Sequence, residues 1–144
     1  MEPTTAVKEI MTPDVVSVNP DDTIAVVRDK ISTLVAHHMP VVESGKVVGM
    51  ISMSDIHKME HHFTIFNNPE AKDSNRQLFA SMLAKDIMTT EVVTVNENDS
   101  IKSAVDLLLQ NMFHALPVIN HEEQLVGIIT TFDLIKHSLE PYKN

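Results

Sequence analysis

Gly127-Ile128-Ile129-Thr130-Thr131-Phe132-Asp133 restates, with one hydroxyl traded for another, the earlier Gly49-Met50-Ile51-Ser52-Met53-Ser54-Asp55. Working outward from these two stretches, the agreement continues. Pro40-Val41 stands before the first as Pro117-Val118 stands before the second, and His37 precedes them as His114 does. Further upstream, Asp22-Thr23-Ile24 matches Asp99-Ser100-Ile101. Ile10-Met11-Thr12 with Val15-Val16-Ser17-Val18-Asn19 matches Ile87-Met88-Thr89 with Val92-Val93-Thr94-Val95-Asn96. A repeat of this length is one supersecondary unit used twice, and such units bury their open faces against each other. Two packed halves of one body are therefore expected.

Each half reads as strand, helix, strand, strand, helix, an α+β pattern. Val15 to Val18 is a β-branched run suited to a first strand. The clusters 19–22 and 96–99 supply turn and helix-start chemistry. Ile24, Val27, Ile31 and Leu34 then recur at helical spacing, as do Ile101, Ala104, Val105, Leu108 and Met112. Pro40 and Pro117 are expected to open the second strand, where a missing N–H removes no ladder bond. Ser44-Gly45 and the longer 120–123 lead into the third strand. The last helix begins near Ser52 in one copy and Thr130 in the other. This places the first repeat at 1–62 and the second at 84–144. Between them lies a linker, 63–83, with an amphipathic segment carrying Leu78, Phe79 and Met82.

Composition narrows the function. The 144 residues include 20 acidic and 11 basic side chains, for a net charge of -9. An acidic chain without a Lys/Arg stripe is a poor partner for nucleic-acid phosphates. The absence of cysteine excludes disulfides, thiolate metal sites and cysteine nucleophiles. Neither a secretory leader nor an apolar run long enough for a membrane span is legible, so a cytoplasmic location is expected. No nucleophile–base set or phosphate loop is present, and the expectation is a protein that is not an enzyme.

The pattern Gly-x-x-Ser/Thr-x-x-Asp carries the chemistry. A strand delivers a hydroxyl to a helix N-terminus, where free amides and the dipole favour an anion. The Asp one turn on can accept two hydrogen bonds from a vicinal diol. Phosphate and ribose at that separation describe a nucleotide. The competing reading is a capping box, in which hydroxyl and carboxylate satisfy each other's backbone amides without a ligand.

With Ile-Met-Thr at the start, His-x-x-Pro-Val in the middle and this pattern at the end, each half resembles the CBS domain, named after cystathionine β-synthase. The resemblance implies a CBS pair with pseudo-two-fold symmetry and two clefts that take AMP, ADP, ATP or S-adenosylmethionine. It also implies that the clefts are cross-built. Thr130 and Asp133 would face Thr12, Val15, Ser17, Ala36, His37 and His38. Ser52 and Asp55 would face Thr89, Val92, Thr94, Phe113, His114 and Ala115. Asp would hold the ribose hydroxyls and Ser or Thr the phosphate, with Ile128 or Met50 as a wall against the base. Ala36 leaves room where Phe113 stacks or fills, so the Asp133 cleft is expected to be the better occupied. Neither cleft offers an obvious Arg or Lys for phosphates, a gap that favours AMP-sized ligands or S-adenosylmethionine. His37 and His114 could supply part of the missing charge at lower pH.

The resemblance further implies a regulatory module acting on a partner protein, and a homodimer formed through helices. Two alternatives come from the residues themselves. One is a ligand-free scaffold, for which mutual pairing of Ser52 with Asp55 and of Thr130 with Asp133 would speak. The other is a metal- or pH-responsive module built on His57, His61 and His62, although a third ligand and supporting shell for zinc are not evident. No metal site is expected.

Overall fold

The computed structural model describes residues 4–34, 37–64 and 76–139, with the side chains of 62–64 excepted. In chain order the elements are a 3-10 turn Val7–Glu9, β1 Thr12–Pro13, α1 Ile24–Ser32, β2 His38–Glu43, β3 Lys46–Ser52 and α2 Met53–Thr64. After a helical stretch at 76–81 come α3 Ala84–Ile87, β4 Val95–Asn96, α4 Ile101–Asn111, β5 Ala115–Ile119, β6 Leu125–Thr130 and α5 Thr131–Leu139. Of the linker, 65–75 lies outside the described residues, and so does Ala36.

The chain forms two compact units that do not follow the order of the repeats. One comprises residues 1–15, 44–47 and 93–144, and the other 16–43 and 48–92. Each unit thus takes its opening segment from the other repeat. In the first unit β1 pairs antiparallel with β6, Thr12 opposite Ile128, in a sheet of order β1-β6-β5-β4. In the second, Thr89 bridges Met50 of β3, β3 pairs with β2, and Val18 bridges Val41 of β2. The two sheets have the same order.

The opening segments are fastened in the same way. Val7 N and Lys8 N donate to the carbonyls of Asp99 and Glu97 at 2.8 and 2.9 Å, and Ile101 N donates to Thr5 O at 2.8 Å. In the other unit Ala84 N and Lys85 N donate to Asp22 O and Pro20 O at 2.8 and 3.0 Å, and Ile24 N to Met82 O at 2.9 Å. Lys85 Nζ lies 2.7 Å from Asp21, and that hydrogen bond raises the Lys85 pKa above its ordinary value.

Strand positions differ from the sequence reading at two places. The β-branched run Val15–Val18 is not a strand, since pairing begins only at Val18, as it begins only at Val95 in the second copy. The prolines also lie two residues inside β2 and β5 instead of opening them. Both differences have one cause. Val18 N donates to Pro40 O and Val42 N donates to Val18 O, so the next rung would need an N–H from Pro40 to the carbonyl of residue 16. Proline has none, and the short parallel strand stops there.

Apolar spacing of the helices fills two separate cores. Ile24, Val27 and Ile31 of α1 are fully buried with Met39, Val41, Ile51 and Phe79 in one unit. Ala104 and Leu108 of α4 pack with Val7, Leu116, Val118 and Ile129 in the other. Thr23 and Ser100 cap α1 and α4, their hydroxyls accepting from Val26 N and Ser103 N.

Candidate functional site

Gly49 and Gly127 open the two site motifs, and the structure gives the reason for both. A Cβ on Gly127 would run into the Met11 side chain, and one on Gly49 into that of Met88. The Met of each Ile-Met-Thr lies over the glycine of the strand beside it, which draws each opening segment close to its motif.

At the end of β6 the strand-to-helix junction closes a capping box. Thr130 N and Thr130 Oγ1 donate to Asp133 Oδ2 at 2.8 and 2.6 Å, and Asp133 N donates to Thr130 Oγ1 at 3.2 Å. Ser52 and Asp55 repeat the arrangement with Ser52 N and Oγ at 2.8 Å from Asp55 Oδ2 and Asp55 N at 3.2 Å from Ser52 Oγ. The pairing named above as the mark of a scaffold is therefore present in both motifs. It uses only one carboxylate oxygen, and a carboxylate offers about four acceptor positions. Oδ1 of Asp133 receives Thr12 Oγ1 from β1 at a long 3.3 Å.

The first unit thus assembles Thr12, Ile128, Thr130 and Asp133, with Val15 at its boundary and Thr94, Phe113, His114 and Ala115 elsewhere in it. Thr130, Ile128 and Ala115 are buried, whereas Phe113 and His114 are exposed. The second unit holds Met50, Ser52, Asp55, Thr89 and Val92, together with Ser17, His37 and His38. There Met50 and Thr89 exchange backbone hydrogen bonds at 3.0 and 2.9 Å. His37 is exposed with φ 53, and its carbonyl accepts from Met53 N at the start of α2.

Beside Asp133 lies a hollow of about 410 Å³ lined by Glu9, Met11, Thr12, Asp133, Lys136 and His137, among others. Lys136 corrects the expectation of a site without an Arg or Lys. The signal was in the sequence, because positions three and four after Asp133 share its helical face. On α2, His57 and His61 are exposed, and among the described residues no group of three or more His, Cys, Asp or Glu side chains is placed to hold a metal. No described helix is long and apolar enough to cross a membrane.

The family model for the CBS domain matches residues 7–61 and 84–140. The chain belongs to the CBS domain family. Inosine-5'-monophosphate dehydrogenase of Methanocaldococcus jannaschii is 30% identical over 92% of the chain, which spans 23% of that enzyme. The chain likewise spans 46% of protein MJ1225 from the same organism, at 28% identity over 91% of the chain. Among solved structures, the CBS domain pair of protein MJ0100, in complex with 5'-methylthioadenosine and S-adenosyl-L-methionine, superposes with a TM-score of 0.75. It is 22% identical, and the match covers 94% of this chain and 97% of that one. CBSX2 of Arabidopsis thaliana in complex with AMP also gives 0.75, at 20% identity over 96% of this CBS pair and 98% of CBSX2. At those identities the likeness carries the fold.

Proposed function

We propose that this CBS pair is a regulatory module that takes up an adenosine compound (AMP, ADP, ATP or S-adenosylmethionine) and changes the activity of a partner protein. The observation that carries the reading is the Thr12–Asp133–Thr130 constellation. It sets a helix-start hydroxyl and a carboxylate with spare acceptor capacity beside a hollow of nucleotide scale. The adenosine complexes of MJ0100 and CBSX2, which share the fold, support the same class of ligand. By the family pattern, Ala36, His37, His38, Ser17 and the Phe113–Ala115 group are further residues proposed to take part in ligand binding. The module works without catalysis and in the cytoplasm. A coupling of about 1–3 kcal/mol between ligand and partner suffices for regulation.

Calorimetric titration of the four ligands into the protein, Asp133→Ala and Asp55→Ala tests the reading. Saturable binding that disappears in Asp133→Ala and persists in Asp55→Ala is expected. Failure of all four ligands to bind folded protein would overturn it and favour the scaffold, which the two closed capping boxes recommend.

Homodimerisation is proposed through α5, where Phe132, Ile135 and Leu139 are 61%, 59% and 55% exposed. Their spacing puts them on one helical face, and a two-fold axis lets such a patch meet itself. The equivalent positions of α2 are Ser54, His57 and His61, so the first unit is the one that pairs. Sedimentation should show a dimer that Ile135→Lys dissociates, and a wild-type monomer at all concentrations would sink this assignment.

A further inference from the structure

We propose that the hollow beside Asp133 selects an adenosine carrying a 5'-phosphate over one carrying a thioether or sulfonium, with Lys136 as the group that contacts the phosphate. The inference rests on the adenosine reading and adds the choice among its ligands. Three ligands share the ribose diol that Asp133 would hold and differ at the 5' carbon. AMP bears a phosphate of charge about −1.5 to −2 at neutral pH. 5'-Methylthioadenosine bears a neutral thiomethyl group, and S-adenosylmethionine a positive sulfonium.

The walls of the hollow discriminate between these substituents. Lys136 follows Asp133 by three residues on α5, so its stem rises just short of one helical turn away, about 4.5 Å along the axis. Its ammonium is a compact, mobile charge suited to a phosphate. Among the described residues no carboxylate forms an ion pair with it, and His137 lines the same wall. The opposing Glu9 carboxylate is engaged locally, with Oε1 accepting from Ala6 N at 3.1 Å. Asp133 directs Oδ2 into the capping box. Both acidic groups keep their charge but are held by backbone and hydroxyl donors, while the lysine has no ion-pair partner among the described residues. A sulfonium would meet that lysine with like charge.

Calorimetry in the Asp55→Ala protein confines binding to the Asp133 site. There AMP should bind at least about tenfold more tightly than 5'-methylthioadenosine and S-adenosylmethionine, in keeping with a charge-assisted contact. Lys136→Met should weaken AMP about tenfold and leave 5'-methylthioadenosine within about twofold, whereas Lys136→Arg should retain most AMP affinity. Lys58→Met, the matching charge change on α2, should leave AMP binding unaltered. Equal affinities for AMP and 5'-methylthioadenosine would overturn the selection while leaving the adenosine site standing. An equal loss in Lys136→Met and Lys58→Met would reduce the lysine to part of the general field. Absence of binding by all three compounds, in both this background and the unaltered protein, would remove the adenosine reading and this inference together.

Discussion

Asp133 is the third residue of its helix and Asp55 occupies the corresponding place at the start of α2. One oxygen of each fastens the helix start, and in the proposed sites the other would face the ligand. Removing either carboxylate should therefore cost stability without any ligand present. Asp133→Ala and Asp55→Ala are each expected to lose about 1 kcal/mol in urea denaturation, the usual worth of an N-terminal cap. No loss in either would mean that water replaces the carboxylate at no cost. A second residue-scale prediction concerns Gly49 and Met88. Gly49→Ala forces its methyl into the Met88 side chain and should cost about 1–3 kcal/mol by overpacking. Gly49→Ala combined with Met88→Ala should recover part of that cost beyond the sum of the singles, a coupling a double-mutant cycle measures. Strict additivity would show that glycine is there for some other reason.

At the scale of elements, the opening segment of the chain belongs with residues 93–144, and this can be read out directly. Val7 is fully buried among Val95, Leu116 and Ile129. Val7→Ala should cost about 2 kcal/mol, as a truncated core side chain does. It should speed hydrogen exchange at β5 and β6 while sparing β2 and β3. Faster exchange in β2 and β3 instead would return the segment to its own repeat. The helices and the double motif were legible in the sequence because they follow from spacing within a dozen residues, whereas the caps Thr23 and Ser100 lie one residue beyond the clusters 19–22 and 96–99 read as helix starts. Ile24, Val27 and Ile31 are buried as their period required. The exchange of segments was not legible, because β1 is two residues long and its register with Ile128 is set by a partner more than a hundred positions away. The strand ends were misread for a related reason. Val15–Val18 has the right propensity, but the missing proline N–H on β2 decides where pairing begins. Of the site, the Thr130–Asp133 pair was visible as a motif. The contribution of Lys136 was signalled by its place three residues after Asp133 on the same helical face but was not read there, and the structure sets it at the same hollow.

For the whole molecule, the charge of -9 and the Lys136 ammonium at the Asp133 hollow act on a phosphate in opposite directions. The diffuse field comes from charges spread over the surface, and at physiological ionic strength its repulsion is largely screened beyond the Debye length of about 8 Å. A contact between Lys136 and a phosphate is much shorter than the Debye length, so salt weakens it less. Raising ionic strength from about 0.01 M, where the Debye length is about 30 Å, toward 0.15 M should therefore strengthen AMP binding. Neutral 5'-methylthioadenosine supplies the control, since neither term acts on it and its affinity should stay level. Titrations of both ligands across that range decide the matter. AMP affinity falling with salt would mean that local attraction outweighs the acidic field, and that more cations than Lys136 surround the bound phosphate. A parallel rise for both ligands would point to a salt-dependent change in the protein, with no phosphate contact involved.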